Sequence, residues 1–334
     1  RLLSGAGDGT LRIWDVSSTA SLVPATTRQP ASTPPPDSVG LGSNEKPSPA
    51  TDSVSGQIVF LSSRDYSDFR ADMPTNLRPH DIYAMNADGS GVRRITTGLR
   101  LYNVHSPVVS PDGSQIIIGG YNRDSGARIF SASGELLQSF PLPGTGGWAL
   151  DWLPNGKVLF CIFMESGLSE EIYSVDSETG ASTRLTNDSA RNLFASWSPD
   201  GRQIAFMRDY TLWVMNADGT GQRQVVEGEA RDLDWSPDGA MIAMESSETP
   251  GMGMDFEIYL VRSDGTGRRS LTNSPDLFLY NPSWSPDGMH LAVESYADNP
   301  PREGQISVVD VQTGVLTQVT SVGNNFAPFW APND

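Results

Sequence analysis

Short apolar runs separated by polar turns fill residues 56–334, and the turns recur at regular steps. A turn of the Ser-Pro-Asp-Gly type occurs six times, each time after an apolar run that ends in Trp or, once, in Val. The turns begin at Ser110, Leu153, Ser198, Ser236, Ser285 and Ala331, so the steps between them are 43, 45, 38, 49 and 46 residues. A period of this length is typical of the blades of a β-propeller.

Each period contains a second phrase, in which a β-branched and aromatic run leads into another polar turn. These phrases occupy residues 81–91, 127–135, 171–180, 211–221, 257–267 and 305–314. An Asp-Gly pair between apolar runs is a strong hairpin signal. One short apolar run lies between the two phrases and another follows the second, so each period predicts four antiparallel strands. No segment keeps an apolar spacing of 3.6 residues over three turns, which excludes helical solenoids and parallel sheets with crossover helices. The fold class is all-β.

The order of the phrases predicts how the ring closes. The region begins at Gln57 on a run of the second type and ends after a run of the first type, residues 326–332. We therefore expect the C-terminal strand to supply the inner strand of the first blade. An open ring would leave strand edges unpaired. The prediction is a six-bladed propeller of four-stranded antiparallel blades, closed by the C-terminal strand.

Large apolar side chains recur at the end of the first run of each period. Five of these positions are tryptophans, namely Trp152, Trp197, Trp235, Trp284 and Trp330. We interpret them as structural, since a ring of splayed sheets needs bulky residues between its blades. The single cysteine, Cys161, lies within the apolar run 157–163 and is predicted to be a buried, unreactive thiol.

The repeated phrases carry a family resemblance. WSPDG at residues 197–201 and LWVMNADGTG at 212–221 resemble the repeats of the TolB-like β-propeller family of bacteria, and the resemblance covers residues 56–334. It implies a binding platform, because TolB works with a peptidoglycan-associated lipoprotein in the cell envelope. It also favours a periplasmic or extracellular location over the cytoplasm. TolB proteins carry an α/β domain before the propeller, and nothing in this chain matches that domain.

The N-terminal part differs in character from the rest. LLSGAGDGTLRIWDV at residues 2–16 resembles two strands of a WD-repeat blade, so residues 1–18 are interpreted as a fragment of such a blade. Residues 19–55 hold seven Pro and twelve Ser or Thr and no aromatic residue, which predicts a disordered linker. We therefore expect the chain to be the C-terminal piece of a longer protein with two propellers.

The charge balance limits the partners. The chain has 40 acidic and 23 basic residues and a net charge of −17 at pH 7. Nucleic acids and anionic membrane surfaces are poor partners for such a surface, so no nucleic-acid partner is predicted. No apolar run of about eighteen residues occurs, and the sequence therefore predicts no transmembrane segment.

Catalytic and cofactor motifs are missing from the sequence. It contains no Gly-x-Ser-x-Gly elbow, no His-Glu-x-x-His, no paired Cys-x-x-Cys and no phosphate-binding glycine loop. We therefore predict a non-catalytic protein without cofactor or metal. Two weak alternatives remain. His80 and His105 could approach each other with Asp81 and Asp72, and residues 216–227 place oxygen ligands at the spacing of a calcium loop, although without its flanking helices.

Strand alternation separates two faces of the ring. The Ser-Pro-Asp-Gly and Asp-Gly turns share one face, which we call the tight face. The irregular face collects the connections 63–81, 246–255 and 296–304 and the segments that lead into the inner strands. Variable loops on a rigid scaffold usually carry function. The candidate partner-binding residues on that face are Tyr102, Asn103, His105, Trp148, Asp151, Asn192, Phe194, Arg231, Asp232, Tyr280, Asn281, Asn325 and Phe326.

These residues allow more than one interpretation. Aromatic rings and amides together suit a peptide or a glycan. The rings could instead cap the core between blades while the amides form turns. Asp151, Asp232 and Asp234 would make the channel acidic and favour a basic or neutral partner, or they could hydrogen-bond to the backbone of neighbouring blades.

The sequence supports three functional hypotheses. The first is a non-catalytic propeller module of a larger bacterial multi-propeller protein that binds a protein or peptide partner on the irregular face. The second is an accessory or gating propeller of a hydrolase or lyase, since TolB-like propellers also resemble the gating propellers of prolyl oligopeptidases and some propeller lyases; a glycan-binding module is a further alternative. The third is a spacer within a larger sensor.

Overall fold

A computed structural model describes residues 56–66, 79–99, 104–120, 126–164, 169–247, 256–297 and 303–333, together with the backbone of 2–5 and 11–14. The chain divides into two compact units, Arg1–Ser48 and Pro49–Asp334. In the first unit, β1 (Leu2–Gly5) and β2 (Leu11–Trp14) pair antiparallel, as the predicted hairpin requires. The predicted linker, residues 19–55, lies outside the described residues.

The second unit consists of six four-stranded antiparallel sheets, which confirms the predicted all-β propeller. In chain order the strands of blades 1 to 3 are β3 (Ile58–Ser62), β4 (Asp81–Met85), β5 (Arg93–Arg94); β6 (Val108–Val109), β7 (Gln115–Gly120), β8 (Gly126–Ser131), β9 (Leu136–Phe140); β10 (Gly147–Trp152), β11 (Lys157–Phe163), β12 (Glu170–Asp176) and β13 (Ser182–Arg184). Those of blades 4 to 6 are β14 (Asn192–Trp197), β15 (Gln203–Arg208), β16 (Thr211–Asn216), β17 (Arg223–Val226); β18 (Arg231–Trp235), β19 (Ile242–Ser246), β20 (Glu257–Val261), β21 (Arg269–Ser270); β22 (Leu277–Trp284), β23 (His290–Ala297), β24 (Gln305–Asp310) and β25 (Leu316–Gln318). The last strand, β26 (Asn325–Trp330), belongs to blade 1.

Ring closure follows the predicted arrangement. Strand β26 pairs antiparallel with β3, with Phe326 opposite Leu61 and Trp330 opposite Ile58. The backbone N–H of Gly56 also donates to the carbonyl of Pro332 at 2.8 Å. The C-terminal strand therefore becomes the inner strand of blade 1, and no inner edge of that blade stays unpaired.

The tight turns of this chain repeat one shape, which is held by their own side chains. In Ser198–Gly201 the hydroxyl of Ser198 donates to Asp200 Oδ1 at 2.7 Å and accepts the backbone N–H of Gln203 at 2.9 Å. Gly201 has a φ of +67°, which glycine adopts without a steric cost. The same pair of serine contacts recurs in the turns that begin at Ser110, Ser236 and Ser285. The serine hydroxyl lowers the pKa of the turn aspartate, as for Asp200.

A second repeated contact fixes the outer strands. In blade 3, Glu171 at the start of β12 is completely buried and accepts from Thr186 Oγ1 at 2.5 Å and from Arg184 Nη2 at 2.7 Å. Thr186 Oγ1 also accepts the backbone N–H of Ile172 at 2.9 Å. The same threonine-to-backbone bond recurs at Thr96, Thr272 and Thr320. This explains why the fourth run of most blades ends in threonine.

A substitution tests that contact. Thr186→Val keeps the shape of the side chain but leaves two buried polar groups, on Ile172 and Glu171, short of a partner. We expect the free energy of unfolding to fall by about 2–3 kcal/mol, measured by urea denaturation. Thr183→Val, at an exposed site on β13, is the control and should change stability little. Equal stability of the two variants would contradict the structural role.

The five tryptophans are buried, and each packs against the preceding blade. Trp152 lies in a cluster with Val108 and Ile117 of blade 2, and Trp197 lies in one with Leu159 and Cys161 of blade 3. The structural interpretation of these residues is confirmed. Cys161 is completely buried, and burial raises the pKa of its thiol.

Candidate functional site

The residue before four of the five tryptophans links one inner strand to the next. Trp197 N–H donates to Asp151 Oδ2 at 2.7 Å, and Trp284 N–H donates to Asp234 Oδ2 at 2.7 Å. Serines take the same position at two other junctions, where Ser196 Oγ accepts from Trp235 and Ser283 Oγ accepts from Trp330. The predicted alternative, that channel aspartates bond to the backbone of a neighbouring blade, is confirmed for Asp151 and Asp234.

Three of these side chains form one group around Ser196. Its hydroxyl lies 3.2 Å from Asp151 Oδ2 and 3.1 Å from Asp234 Oδ1, and it has only one proton to donate. Burial raises the pKa of Asp151 to about 6. Burial, with the charge of Asp151 adding to it, raises the pKa of Asp234 to about 7. Both carboxyls are therefore partly protonated near neutral pH, and the charge of one affects the other.

Irregular strand pairing changes the direction of a side chain in several inner strands. The register shifts between Ala149 and Asp151 in β10 and between Leu193 and Ala195 in β14. Comparable shifts occur in β18, β22 and β26. Bulges of this kind turn a side chain out of the sheet. Three non-glycine residues at these sites have positive φ, namely Phe194 (44°), Asn281 (50°) and Ala327 (53°).

A pocket forms where the six inner strands converge. It encloses about 430 Å³ of empty space, part of which is open to solvent. Its described lining is contributed by all six blades: His105, Ser106, Leu150, Phe194, Ala195, Asp232, Leu233, Asp234, Asn281, Pro282, Ser283, Pro328 and Phe329. We call it the channel pocket. Four predicted partner-binding residues, His105, Phe194, Asp232 and Asn281, meet there.

His105 is the centre of an aromatic group at this pocket. Its ring stacks on Trp148 with centroids 5.2 Å apart and lies 5.6 Å from the ring of Phe194. Its Nε2 lies 3.2 Å from Asp232 Oδ1, which belongs to a different blade. Its Nδ1 is buried and has no hydrogen-bond partner among the described residues. An aromatic surface is therefore assembled from blades 2, 3 and 4, and Trp148 and Phe194 are the predicted aromatic residues that it contains.

Two buried carboxyls lie behind Asp232. Glu245 Oε1 accepts the backbone N–H of Asn281 at 2.9 Å, and Glu294 Oε2 accepts from Asn281 Nδ2 at 2.8 Å. Burial raises the pKa of both glutamates, and the nearby charge of Asp232 raises each further. The sequence analysis did not single out these glutamates, because nothing in their spacing shows that β19 and β23 bring them to one residue of β22.

The other predicted site residues lie elsewhere or serve the fold. Asn192 and Asn325 are completely buried, and their amides bond to surrounding loops and side chains. Tyr280 packs 5.8 Å from both Phe256 and Tyr296. Phe326 packs on His80 with the ring centroids 4.5 Å apart. Arg231 forms an ion pair with Glu229, with Nη2 2.6 Å from Oε1. Tyr102 and Asn103 lie outside the described residues.

The two metal alternatives find no support in the geometry. His80 is buried against Phe326, whereas His105 contacts Asp232. Asp72 lies outside the described residues. In the described ranges no three His, Cys, Asp or Glu side chains are grouped to hold a metal ion. The calcium-like spacing forms an ordinary hairpin turn in which Asp218 Oδ1 accepts the N–H of Thr220 at 2.9 Å. No helix of the described residues is long and apolar enough to cross a membrane.

Tyr210 is a surface feature that the sequence analysis missed. Asp209 and Tyr210 join β15 to β16 with φ values of 45° and 64°, the geometry of a tight hairpin on the irregular face. The ring is 39% exposed, and Arg231 lies 5.0 Å from its centroid. Arg191 Nη1 donates to its hydroxyl at 3.0 Å. The only sign of this hairpin in the sequence is that two residues, neither of them glycine, connect the apolar runs that form β15 and β16.

Comparison with known proteins agrees with this fold. Residues 164–252 match the family model for the dipeptidyl peptidase IV (DPP IV) N-terminal region, and residues 1–15 match the WD domain, G-beta repeat. The chain is 28% identical over 248 residues to an uncharacterized protein of Agrobacterium fabrum, which covers 64% of this chain and 78% of that protein. It is 36% identical over 152 residues to a TolB homolog of Chlorobium luteolum, which covers 43% of this chain. The chain spans 32% of the length of that homolog.

A solved structure extends the comparison to three dimensions. TolB from Acinetobacter baumannii superposes with a TM-score of 0.64 at 22% identity, over 83% of this chain and 67% of that chain. The described unit is therefore a six-bladed β-propeller with a TolB-like fold, preceded by a WD-like segment. The relatives with a stated organism are bacterial, in agreement with the predicted bacterial origin.

Proposed function

We propose that this propeller is a non-catalytic module that binds an extended segment of a protein partner at the mouth of its channel on the irregular face. The observation that carries the proposal is the channel pocket, where residues from all six blades surround one opening. Aromatic rings and prolines form much of its wall, and carboxylates and an amide provide polar contacts. Pockets of this composition are the usual binding sites of folded proteins.

Two further observations support binding over catalysis. The Nδ1 of His105 lacks a hydrogen-bond partner among the described residues and its Nε2 lies 3.2 Å from Asp232 Oδ1, so no hydroxyl of the described residues is held against this imidazole as a nucleophile would be. Asp151 and Asp234 are engaged in joining inner strands. Similarity to TolB homologs favours a protein partner and a periplasmic location for the bacterial protein that contains this module.

A second candidate is an accessory or gating propeller of a hydrolase. It is favoured by the match of residues 164–252 to the dipeptidyl peptidase IV N-terminal region. In that case the partner at the irregular face would be a catalytic domain, which mass spectrometry of captured proteins would identify.

Affinity capture tests the binding function. The full chain serves as bait in envelope and cytosolic extracts beside a Trp148→Ala, Tyr210→Ala variant. Because these rings lie at the channel mouth and on the irregular face, we expect a partner to be held by the parent and reduced at least about ten-fold by the variant. Leu136→Ala, Leu137→Ala changes exposed apolar residues of the outer strand β9 and should retain the partner. Equal capture by all three proteins would contradict the proposal.

A further inference from the structure

We propose that the channel pocket receives a cationic side-chain end, a lysine ammonium or an arginine guanidinium, presented by the bound partner segment. This inference rests on the proposed binding function and specifies the chemistry of its central contact. It is carried by the polar groups of the pocket, by the shape and composition of its wall, and by the absence of a matching cation among its described lining residues.

Two carboxyl groups lie in the wall of the pocket. Asp232 and Asp234 are both among its lining residues, and no described lining residue is lysine or arginine. The nearby Arg231 is already engaged, since its Nη2 lies 2.6 Å from Glu229 Oε1 and its guanidinium lies over the rings of Tyr210 and Phe256. The described part of the pocket therefore presents the carboxylate of Asp232 without a permanent cation of its own.

The surrounding charges strengthen this preference. Glu245 and Glu294 lie behind Asp232, and the charge of Asp232 raises the pKa of both. The negative charge of Asp232 that raises these pKa values also attracts a cation, and a bound cation offsets that charge. A neutral side chain of the same size does not offset the negative charge of Asp232. Nε2 of His105 lies 3.2 Å from Oδ1 of Asp232.

The wall of the pocket fits the stem of a long basic side chain. Leu150, Phe194, Pro328 and Phe329 provide apolar contact around the carboxylates. Lysine and arginine bury their methylene stems against apolar surface while the charged end meets polar groups. Phenyl faces also attract cations. With about 430 Å³ including its open part, the pocket admits the end of a side chain and not a folded domain.

Selection from a random peptide library displayed on phage tests the inference with the full chain as target. Peptides that lose binding to Trp148→Ala are classed as ligands of the channel mouth. Among these we expect lysine or arginine to be enriched at one position, and its replacement by norleucine to weaken binding at least about ten-fold. Asp232→Asn should cause a similar loss, whereas Asp218→Asn, which makes the same charge change in an exposed tight-face turn, should not.

The outcomes separate this inference from the proposed function. Channel-mouth peptides without a basic residue, or with a basic residue that norleucine replaces without loss, would overturn the cation inference and leave the binding function intact. If no selected peptide depends on Trp148, both proposals fail. Circular dichroism of each variant checks that a loss of binding does not reflect unfolding.

Discussion

Deletion of residues 326–334 is expected to abolish the cooperative unfolding transition of the propeller. The deletion removes most of β26, so β3 loses its inner partner along the register from Ile58 to Leu61. It also removes Trp330, which is buried in a cluster with Ala292 and Ile306 of blade 6. Loss of one large buried aromatic alone costs about 3–5 kcal/mol. Together with the lost strand this approaches the whole stability of a typical domain, about 5–15 kcal/mol.

Urea denaturation followed by circular dichroism measures this effect. Removing residues 333–334 alone is the matched control, because it leaves β26 and the bond from Gly56 to Pro332 in place. Addition of a synthetic peptide of residues 323–334 to the truncated protein should restore part of the transition, since an extended peptide can complete an open sheet edge. A truncated protein that melts like the parent would show that β26 does not close the ring.

Stability is expected to decrease as the pH rises from about 4 to about 7 because of the carboxyl pair around Ser196. An unfolded aspartate titrates near pH 3.9, whereas the folded-state pKa is about 6 for Asp151 and about 7 for Asp234. Between these values the folded protein binds more protons than the unfolded chain. The stabilising effect of protonation is therefore complete below about pH 4 and lost above about pH 7. For Asp234 alone the change is on the order of 4 kcal/mol.

Asp234→Asn isolates this contribution. Asparagine keeps an oxygen that can accept the N–H of Trp284 and offers an N–H to Ser196, so it resembles the protonated aspartate. We expect the variant to be more stable than the parent at pH 8 and to lose most of the decrease between pH 4 and 7, measured by urea titrations at several pH values. Asp264→Asn, in an exposed tight-face turn, should leave the profile unchanged. An unaltered slope in Asp234→Asn would contradict a raised pKa of Asp234.

The blade pattern was predictable because it depends on local signals. The serine, aspartate and glycine of each tight turn make their contacts within five residues, so the turn can be recognised without knowing what it packs against. The apolar runs between turns are short and nearly continuous, which favours strands buried on both faces, and the structure buries both faces of β3 and β19. Closure by the C-terminal strand followed from the order of the runs, since only one strand type was missing from blade 1.

The channel site was predictable only in part. His105, Phe194, Asp232 and Asn281 were selected because they precede or begin inner strands, and the structure brings them to one pocket. Asn192 and Asn325 carry the same sequence signal but are completely buried. The difference depends on the local bulges and loops, which decide whether a side chain points into the channel or back into its own blade.

The sequence alone determined the all-β class, the number of blades and the positions of the turns, because each depends on contacts between residues close in the chain. Tertiary structure alone decided that Ser196 lies between Asp151 and Asp234, and that Glu245 and Glu294 lie behind Asp232. These groups come from different blades, and their distances are set by how the six sheets splay around a common axis. The raised pKa values of Asp151 and Asp234 and the common pocket arise from that convergence, and no spacing along a single strand predicts it.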